Sequence, residues 1–416
     1  MDKFIIEGGY SLKGTVNISG SKNAALPIMA ATLLLDKDCV LNNIPHLNDT
    51  LVMNKLVNIL GGKVSFEGNT VRTANKTIKE FKAPYDLVKT MRASVYVMGA
   101  LLGRFNKAEV ALPGGCIIGE RPINLHLMGF EKLGAKITIE HGYIKARAKK
   151  LRGADIYLDT VSVGATANIL MAAVFAQGET IIRNAAQEPH IVDLSNFLNK
   201  MGAKISGQGT NTIKLTGVTS LKGGTYSVIS DYIEAGTFMV AAAITNGNIA
   251  LQNAPADNLE AIKDNLKDTG SEIKISKKSL TIKGSKIPKP SKVDTAPYPG
   301  FPTDMQAQWM ALMSVSSGTS IINETIWEKR FMHVPELNRM GADIATKGNT
   351  AVVKGVKGLS GAPVMVSDLR AGASLVLAGL RAKGTTEISR IYHLDRGYEK
   401  IEKKLEALGA KIRRFK

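Results

Sequence analysis

The segment LGAKI at residues 133–137 is one copy of a five-residue signature that recurs along the whole chain. The signature consists of Leu or Met, Gly, a small residue, a polar residue, and Ile or Val. The other copies read LGGKV at 60–64, MGAKI at 201–205, a worn TGSEI at 269–273, MGADI at 340–344 and LGAKI at 408–412. Successive copies start 73, 68, 68, 71 and 68 residues apart. Since internal repetition at a steady period indicates a repeat architecture, we predict six structural repeats.

Each copy of the signature ends a segment with helical spacing. Before MGAKI, apolar residues follow one another at three- and four-residue steps, at Ile191, Leu194, Phe197 and Leu198. This spacing is typical of an amphipathic helix. The signature glycine is then predicted to cap the C-terminus of the helix, and the Ile or Val that follows to open a strand.

Two further features keep the same period. Strand-like segments recur around Val40, Val110, Ile181, Ile249, Ile321 and Ile388. Helices of small, apolar residues are predicted at 162–177, 235–245, 305–315 and 372–382. Helices so poor in charge are usually buried on all sides. One repeat therefore consists of strands, a buried helix, a strand, a loop, an amphipathic helix and a strand, which makes the fold class α/β.

The sixth repeat is shorter than the others, because only four residues follow its signature. The segment FIIEGGYSLKGTVNIS at 4–19 resembles TIKLTGVTSLKGGTYSVIS at 212–230, which follows the third signature. We infer that the N-terminal segment completes the last repeat. This predicts one three-repeat domain at 20–229, which carries the Cys116 loop, and another formed by 1–19 with 230–416. A two-stranded hinge is expected near Gly20 and Ser230.

Composition excludes several classes of protein. The N-terminus lacks a secretory signal, and the longest apolar stretch, at 24–35, contains Pro27 and is too short to span a bilayer. The two cysteines, Cys39 and Cys116, form neither a disulfide framework nor a zinc pattern. We expect a reduced, cytoplasmic protein without a metal, a cofactor or a membrane anchor.

The formal net charge of +18 is compatible with nucleic acid, anionic membranes or small anionic substrates. The sequence has no recognised nucleic-acid-binding motif and no interleaving of aromatic and basic residues. The lysine-rich stretch at 274–292 has the spacing of strands and is expected to be a solvated surface. The arginines are more informative because they lie in the segments where the unusual residues collect.

Unusual residues collect in two places of the repeat. At the start of the buried helix lie Lys22, Asn23, Arg92, Ser162, Val163, Gly164, Asp304, Asp368 and Arg370. In the loop before the amphipathic helix lie LPGGCIIGERP at 112–122, AQEPH at 186–190, WEKRF at 327–331 and HLDRG at 393–397. Helix N-termini favour anions, because their free N–H groups and the positive end of the helix dipole point outward. We therefore expect a cationic cleft between two hinged domains that close on phosphate-bearing substrates.

The loop around Cys116 is the most distinctive of these segments. Gly114 and Gly115 precede the thiol, and Arg121 follows it. A nearby cation lowers the pKa of a thiol below its usual value of about 8.5, which suits a proton donor or a nucleophile. The alternative is a small buried apolar residue. The polar, glycine-rich loop favours a functional role for Cys116, whereas the strand-like DCVLNN favours burial for Cys39.

Eight segments together carry a family resemblance that spans the whole chain. They read SGSKNAALPI, LVKTMRASVYVMG, LPGGCIIGERPINLH, VSVGAT, FPTDMQAQ, RFMHVPEL, DLRAGASLVLAG and IYHLDRGYE. The sequence resembles the enolpyruvyl transferases, and specifically those that act on UDP-N-acetylglucosamine. The resemblance implies two inside-out α/β domains of three repeats each. It also implies transfer of the enolpyruvyl group of phosphoenolpyruvate to the 3′-hydroxyl of UDP-N-acetylglucosamine, with release of phosphate, at the start of peptidoglycan precursor synthesis.

The resemblance also implies a role for each matched residue. Cys116 would be the catalytic thiol, open to covalent modification by fosfomycin, and Asp304 the base. The phosphoenolpyruvate site would comprise Lys22, Asn23, Arg121 and Arg396. The nucleotide-sugar site would comprise Arg92, Arg121, Pro122, Ile123, Asn124, Leu125, His126, Ser162, Val163, Gly164, Asp304 and Ile326. Asp368 and Arg370 would be charged groups of the cleft.

Some of these residues have simpler interpretations. Arg92 and Arg370 are also explained as helix caps or salt-bridge partners, and Asp304 as an N-cap. The chain has Asn124 where many relatives are expected to have Asp, so the contact with uracil loses a charge. His126, His333 and His393 are too scattered to indicate a metal site.

Three alternatives stay open at this point. The first is the sister reaction on shikimate 3-phosphate, which uses the same fold; the Cys116 loop and VSVGAT favour the nucleotide sugar. The second is a nucleic-acid-binding protein that uses the net charge. The third is a catalytically silent regulatory paralogue, which the full set of expected catalytic residue types disfavours.

Overall fold

The protein is described by a computed structural model that covers residues 2–112, 123–276 and 279–416. These residues form two compact units. Unit 1 consists of residues 2–19 and 230–416, and unit 2 of residues 20–112 and 123–229. Each unit has its own cluster of buried apolar side chains, so each contains a separate hydrophobic core.

The strands of the described residues are short, and none is longer than five residues. In chain order they are β1 (Lys3–Glu7), β2 (Lys13–Asn17), β3 (Cys39–Asn42), β4 (Lys63–Glu67), β5 (Thr70–Ala74), β6 (Lys82–Ala83), β7 (Lys107–Ala111), β8 (Lys136–Glu140), β9 (Tyr143–Arg147), β10 (Asp155–Tyr157), β11 (Glu179–Arg183), β12 (Lys204–Ser206), β13 (Thr212–Thr216), β14 (Gly224–Ser227), β15 (Asn248–Gln252), β16 (Glu272–Ile275), β17 (Ser279–Lys283), β18 (Lys292–Asp294), β19 (Thr319–Asn323), β20 (Asp343–Lys347), β21 (Thr350–Lys354), β22 (Pro363–Met365), β23 (Thr385–Ser389) and β24 (Lys411–Phe415).

The helices alternate with these strands. They are α1 (Lys22–Ala31), α2 (Asn48–Ile59), α3 (Tyr85–Val88), α4 (Tyr96–Phe105), α5 (Asn124–Lys132), α6 (Val163–Ala173), α7 (Pro189–Lys200), α8 (Tyr232–Ile244), α9 (Glu260–Asp268), α10 (Gln306–Met313), α11 (Val334–Arg339), α12 (Leu369–Arg381) and α13 (Ile401–Ala407). Short 3₁₀ helices lie at Thr32–Leu34, Arg92–Val95, Ala256–Asn258, Thr303–Met305 and Ile391–Arg396.

The described strands form six four-stranded sheets, three in each unit. All six have one pattern, which the sheet β10-β11-β13-β12 illustrates. The first two strands are parallel, and the antiparallel pair β12–β13 completes the sheet through β13. The buried helix α6 connects the two parallel strands, as a parallel pair requires a crossover.

In each unit, some sheets pair strands that are far apart in the sequence. In unit 2, β14 lies parallel to β3. In unit 1, β2 lies parallel to β15, and β1 inserts between β23 and β24 with antiparallel pairing on both sides. The N-terminal strands therefore belong to the sheets formed by the C-terminal half of the chain.

Three helices lie at the centre of each unit. In unit 2 these are α1, α4 and α6, and in unit 1 they are α8, α10 and α12. All 13 residues of α8 and all eight of α10 are buried. Exposed polar residues alternate with buried ones along most strands, so the sheets lie on the outside. This arrangement places the N-termini of the central helices where polar groups from several repeats can meet.

The signature glycine has the same conformation in all six repeats. Its φ lies between 89° and 107° at Gly61, Gly134, Gly202, Gly270, Gly341 and Gly409. Each follows the last turn of a helix, where a left-handed residue lets the chain turn back into a strand. Glycine is favoured there because a Cβ is strained at positive φ. The predicted C-cap is confirmed.

A second left-handed position follows the central strand of several repeats. The first residue after β3, β11 and β15 is Asn43, Asn184 and Asn253, with φ of 59°, 54° and 57°. After β23 the same position is taken by Arg390, with φ of 57°. Asparagine tolerates this region better than arginine, because its short side chain bonds locally to the backbone.

We expect Arg390→Asn to stabilise the protein by about 0.5–1 kcal/mol. The Asn184 amide donates to the carbonyl of Leu158, which follows the parallel edge strand, at 2.7 Å. Val366 occupies the equivalent place after β22 and would accept the same bond. The denaturant midpoint should rise for Arg390→Asn and fall for the reverse control, Asn184→Arg. An unchanged or lower midpoint for Arg390→Asn would contradict the strain argument.

Candidate active site

The polar centre of unit 1 is the carboxylate of Asp304, which lies in the 3₁₀ helix before α10. Arg330 donates from Nη2 to Oδ1 at 2.7 Å, and Arg370 donates from Nη2 to Oδ2 at 2.8 Å. The arginine side chains are only 6% and 4% exposed, whereas the Asp304 side chain is 29% exposed. The Asp304 side chain thus keeps partial contact with solvent, while the two cations lie buried beside it.

The charge state of Asp304 follows from this arrangement. Burial opposes ionisation, but the guanidinium groups of Arg370 and Arg330 outweigh it and hold the pKa of the carboxyl well below its usual range. Asp304 does not cap a helix: its carboxylate binds the two arginines, and α10 begins without a side-chain cap. The N-cap interpretation is therefore wrong.

A hydrogen-bonded chain fixes Arg330. Its Nη1 donates to Thr303 Oγ1 at 2.8 Å, and Thr303 donates to Glu324 Oε2 at 2.8 Å. The other oxygen of Glu324 accepts the backbone N–H of Ile326 at 2.9 Å. The loop that contains Ile326 is thereby connected to the Asp304 cluster.

A second set of side chains fixes Arg370. Its Nη1 donates to the hydroxyl of Tyr398 at 3.1 Å, and this hydroxyl lies 2.9 Å from Thr237 Oγ1. Gln308 donates to the Thr237 hydroxyl at 3.2 Å and to the Asp304 carbonyl at 2.9 Å. Because α8, α10 and α12 all contribute, the arginine has little freedom to move.

Asp368 and Arg396 lie in neighbouring segments of unit 1. Asp368 caps α12 and accepts the backbone N–H groups of Arg370 at 3.0 Å and Ala371 at 3.1 Å. Arg396 ends the 3₁₀ helix Ile391–Arg396. Burial, together with the charge of Arg396, lowers the pKa of His393. The structure therefore brings Asp304 and Arg370 into contact and uses Asp368 as a helix cap.

In unit 2, the start of α6 meets α5. A Cβ added to Gly164 would come within 2.9 Å of His126 Nε2, so glycine is what allows the imidazole to approach. Ser162 caps α6 and accepts the N–H of Ala165 at 3.3 Å. The predicted residues His126 and Gly164 thus lie in contact, beside the cap formed by Ser162.

Asn168 fixes the orientation and tautomer of His126. Its amide donates to His126 Nδ1 at 2.8 Å and to the Val95 carbonyl at 3.2 Å, and its oxygen accepts the N–H of Gly99 at 2.9 Å. An acceptor at Nδ1 places the ring proton on Nε2, the atom that faces Gly164. Burial, with a smaller contribution from Arg92, lowers the pKa of His126 to about 4. The imidazole is therefore a neutral hydrogen-bond donor.

This burial predicts a pH dependence of stability. The pKa of His126 is about 4 in the folded protein and about 6.5 when unfolded, so the unfolded chain binds the extra proton between these values. The stability contributed by His126 is complete above pH 6.5 and is lost as the pH falls towards 4. We expect the advantage of the wild type over His126→Gln to shrink by about 2–3 kcal/mol across this window. Denaturant unfolding of both proteins at several pH values measures it, and a pH-independent difference would contradict it.

The other predicted residues of unit 2 are placed as follows. Lys22 is the first residue of α1, with Nζ 3.7 Å from Asp49 Oδ2, and Asn23 follows it. Arg92 begins the 3₁₀ helix Arg92–Val95. Asn124 and Leu125 form the first turn of α5 after Ile123, and Val163 begins α6.

Cys116, Arg121 and Pro122 lie outside the described residues, so their roles stay predictions. The structure adds residues that the sequence analysis did not assign to the site, namely Arg330, Tyr398, Thr237, Gln308 and Asn168. Three of these lie in segments that carry the family resemblance: Arg330 in RFMHVPEL, Gln308 in FPTDMQAQ and Tyr398 in IYHLDRGYE. Thr237 and Asn168 had no such signal. Within the described ranges we find no helix long and apolar enough to cross a membrane and no cluster of metal-ligating side chains.

Comparison with known proteins identifies the class. The sequence matches the family model for EPSP synthase (3-phosphoshikimate 1-carboxyvinyltransferase) over residues 6–405. The enolpyruvyl transferase NikO from Streptomyces tendae superposes with a TM-score of 0.90 at 25% identity, covering 100% of this chain and 99% of that one. EPSP synthase from Acinetobacter baumannii shares the fold, with a TM-score of 0.77 at 19% identity and full coverage of both chains. The chain belongs to this family of enolpyruvyl transferases, and the predicted fold class is confirmed.

Full-length relatives narrow the class further. The UDP-N-acetylglucosamine 1-carboxyvinyltransferase of Geobacter metallireducens is 56% identical over 416 residues, which is 100% of both chains. The UDP-N-acetylglucosamine 1-carboxyvinyltransferase 1 of Caldanaerobacter subterraneus subsp. tengcongensis is 56% identical over 412 residues, or 99% of both. The predicted resemblance is thus confirmed, and the alternatives of a shikimate enzyme and a nucleic-acid-binding protein are not favoured.

Proposed function

We propose that this protein transfers the enolpyruvyl group of phosphoenolpyruvate to the 3′-hydroxyl of UDP-N-acetylglucosamine and releases phosphate. The observation that carries this proposal is the ionised, partly exposed carboxylate of Asp304, set between two buried arginines at the start of a central helix. The choice of acceptor is supported by the names of relatives that share 56% identity over their full length.

The reaction begins with protonation of phosphoenolpyruvate. Cys116 gives its S–H proton to the methylene carbon, which becomes a methyl group and leaves C2 electrophilic. Lys22, Arg121 and Arg396 bind the phosphate and carboxylate of this trianion. Several cations are needed because the negative charges would otherwise repel one another in a site from which water is excluded.

The acceptor hydroxyl then attacks C2, and its proton passes to Asp304. The carboxylate is a weak base because two arginines hold its pKa low, so we expect the proton to transfer late, as the C–O bond forms. In the elimination, the Cys116 thiolate takes one proton back from the methyl group, the C–O bond between C2 and the phosphate breaks, and the departing phosphate takes the proton held by Asp304. The products are the enolpyruvyl ether of the sugar nucleotide and inorganic phosphate, and the atoms balance without a cofactor.

The groups of unit 2 around His126 suit the nucleotide sugar. His126 offers a neutral N–H donor at Nε2 beside the start of α6. The N-terminus of that helix and Arg92 favour negative charge, as the diphosphate requires. Asn124, with Ile123, Leu125 and the preceding Pro122, is assigned to the uracil end. Such a reaction on activated precursors takes place in the cytoplasm.

Phosphate release with two acceptors tests the proposal. Phosphoenolpyruvate with UDP-N-acetylglucosamine should release phosphate at least about 10³-fold faster than phosphoenolpyruvate with shikimate 3-phosphate, because a site shaped for one acceptor leaves its polar groups unpaired with the other. Faster release with shikimate 3-phosphate would assign the protein to the sister reaction. Release with neither acceptor would support a catalytically silent paralogue.

A further inference from the structure

Arg414, on the C-terminal strand β24, joins three carboxylates from separate parts of unit 1. Its guanidinium forms two hydrogen bonds with the carboxylate of Asp395, one of them at 3.1 Å from Nη1 to Oδ2. Nη1 also donates to Asp2 Oδ2 at 3.2 Å, and Nε donates to Glu402 Oε1 at 3.2 Å. The guanidinium also lies over the ring of Phe4, 5.0 Å from its centroid. The side chain is 25% exposed, so solvent does not fully screen these bonds.

The position of Asp395 gives this cluster its significance. Asp395 immediately precedes Arg396 in the 3₁₀ helix Ile391–Arg396. Successive residues of a 3₁₀ helix point about 120° apart, because the helix has three residues per turn. A two-point bond to a carboxylate fixes orientation as well as distance. Holding Asp395 towards β24 therefore sets the direction in which Arg396 leaves the backbone.

The same segment has a second anchor on the other side of Arg396. Tyr398 is buried and bonded to Thr237 and Arg370. Arg396 is thus held between one anchor in the central helices and one on the C-terminal strand. Short 3₁₀ helices have poor hydrogen-bond geometry, so such side-chain anchors matter more here than in an α-helix.

We propose that Arg414 is a positioning residue for the phosphoenolpyruvate site, acting through Asp395 on the orientation of Arg396. The inference rests on the proposed function, because it takes Arg396 as a ligand of phosphoenolpyruvate. Arg414 itself does not touch the substrate. Its loss would loosen one cation of the anion site and leave the nucleotide-sugar site of unit 2 unchanged.

Steady-state kinetics of Arg414→Ala test the proposal. The KM for phosphoenolpyruvate should rise about tenfold, while kcat changes by less than about threefold and the KM for UDP-N-acetylglucosamine stays the same. Arg414→Lys should recover part of the loss, since it keeps the charge but not the two-point bond. Arg413→Ala, an exposed neighbour on the same strand, is the matched control and should leave all three constants unchanged.

Two further variants separate positioning from stability. Glu402, in α13, accepts another hydrogen bond from Arg414. Glu402→Gln weakens this bond and should lower the melting temperature without changing the KM for phosphoenolpyruvate. Asp395→Ala should raise the KM for phosphoenolpyruvate as Arg414→Ala does. The KM of the double variant should not exceed that of the more impaired single variant, because both changes remove the same Arg414–Asp395 interaction.

The proposal is overturned if Arg414→Ala lowers the melting temperature but leaves the KM for phosphoenolpyruvate unchanged. It is also overturned if the effects of Arg414→Ala and Asp395→Ala multiply in the double variant. A wild-type protein that does not consume phosphoenolpyruvate would refute the proposed function, and this inference with it.

Discussion

Cys116→Ser should lower kcat by about 10³-fold or more, because a hydroxyl is a far weaker acid than a thiol and general acid catalysis contributes about 10²–10⁴-fold. Cys116→Asp should keep measurable activity, since a carboxylic acid can also give a proton to the methylene carbon. Cys39→Ala is the matched control. Cys39 is buried in β3, and burial raises the pKa of its thiol to about 12, so its loss should leave turnover unchanged.

The same thiol should be the target of fosfomycin. This epoxide phosphonate carries an anion like that of phosphoenolpyruvate, and a thiolate can open its epoxide ring by attack on carbon. Intact-mass and peptide analysis should place a single label on Cys116, formed faster when UDP-N-acetylglucosamine is bound. Cys116→Asp should resist the inhibitor. A label on Cys39, or normal turnover by Cys116→Ser, would show that Cys116 is not the catalytic acid.

Asp304→Asn should lower kcat by about 10²–10⁴-fold, because the amide cannot accept the proton of the attacking hydroxyl. The change also leaves Arg330 and Arg370 buried with a neutral partner, at a cost of about 1–3 kcal/mol of stability. Calorimetric titration with UDP-N-acetylglucosamine should still detect binding, which separates lost chemistry from lost fold. Turnover within about fivefold of the wild type would exclude Asp304 as the base.

The charge of Asp304 also bears on the pH profile. Its two arginines hold the pKa of the carboxyl well below the usual range, so the side chain is ionised at neutral and mildly acidic pH. A loss of activity on the acid side must therefore come from other groups.

The matched control for Asp304→Asn is Thr303→Val, which removes a hydrogen bond to Arg330 while keeping both charges next to Asp304.

The repeat architecture could be predicted because each repeat has a position that only a few residue types tolerate. The six signature glycines adopt φ between 89° and 107°, a range that favours glycine, so each of them marks the end of an amphipathic helix in the sequence. The buried helices were visible from their lack of charge, although α8 begins at Tyr232, three residues before its predicted start. Asp231 caps that helix. Tyr232 and Glu234 follow the cap, and they interrupt the run of small, apolar residues from which the start of the helix was predicted.

The candidate site was only partly predictable. Asp304 and Arg370 stood out because charged residues begin otherwise apolar helices, and the structure joins them. Their contact with Arg330 could not be inferred, since it depends on how a loop 26 residues further along the chain folds back. Tyr398, Thr237 and Asn168 resemble ordinary core residues in the sequence. They become recognisable only when three repeats are packed together and their polar atoms meet.

Transfer carried out in deuterium oxide tests the central claim most directly. A thiol exchanges its proton with solvent, so Cys116 should deliver deuterium to the methylene carbon of phosphoenolpyruvate. The intermediate then carries a methyl group, and the elimination step removes one of its three hydrogens. We predict that NMR of the UDP-N-acetylglucosamine product will show an enolpyruvyl group with one deuterium, divided between the two vinylic positions because the methyl group rotates before elimination. An enolpyruvyl product without deuterium, or no enolpyruvyl product, would contradict enolpyruvyl transfer by addition and elimination.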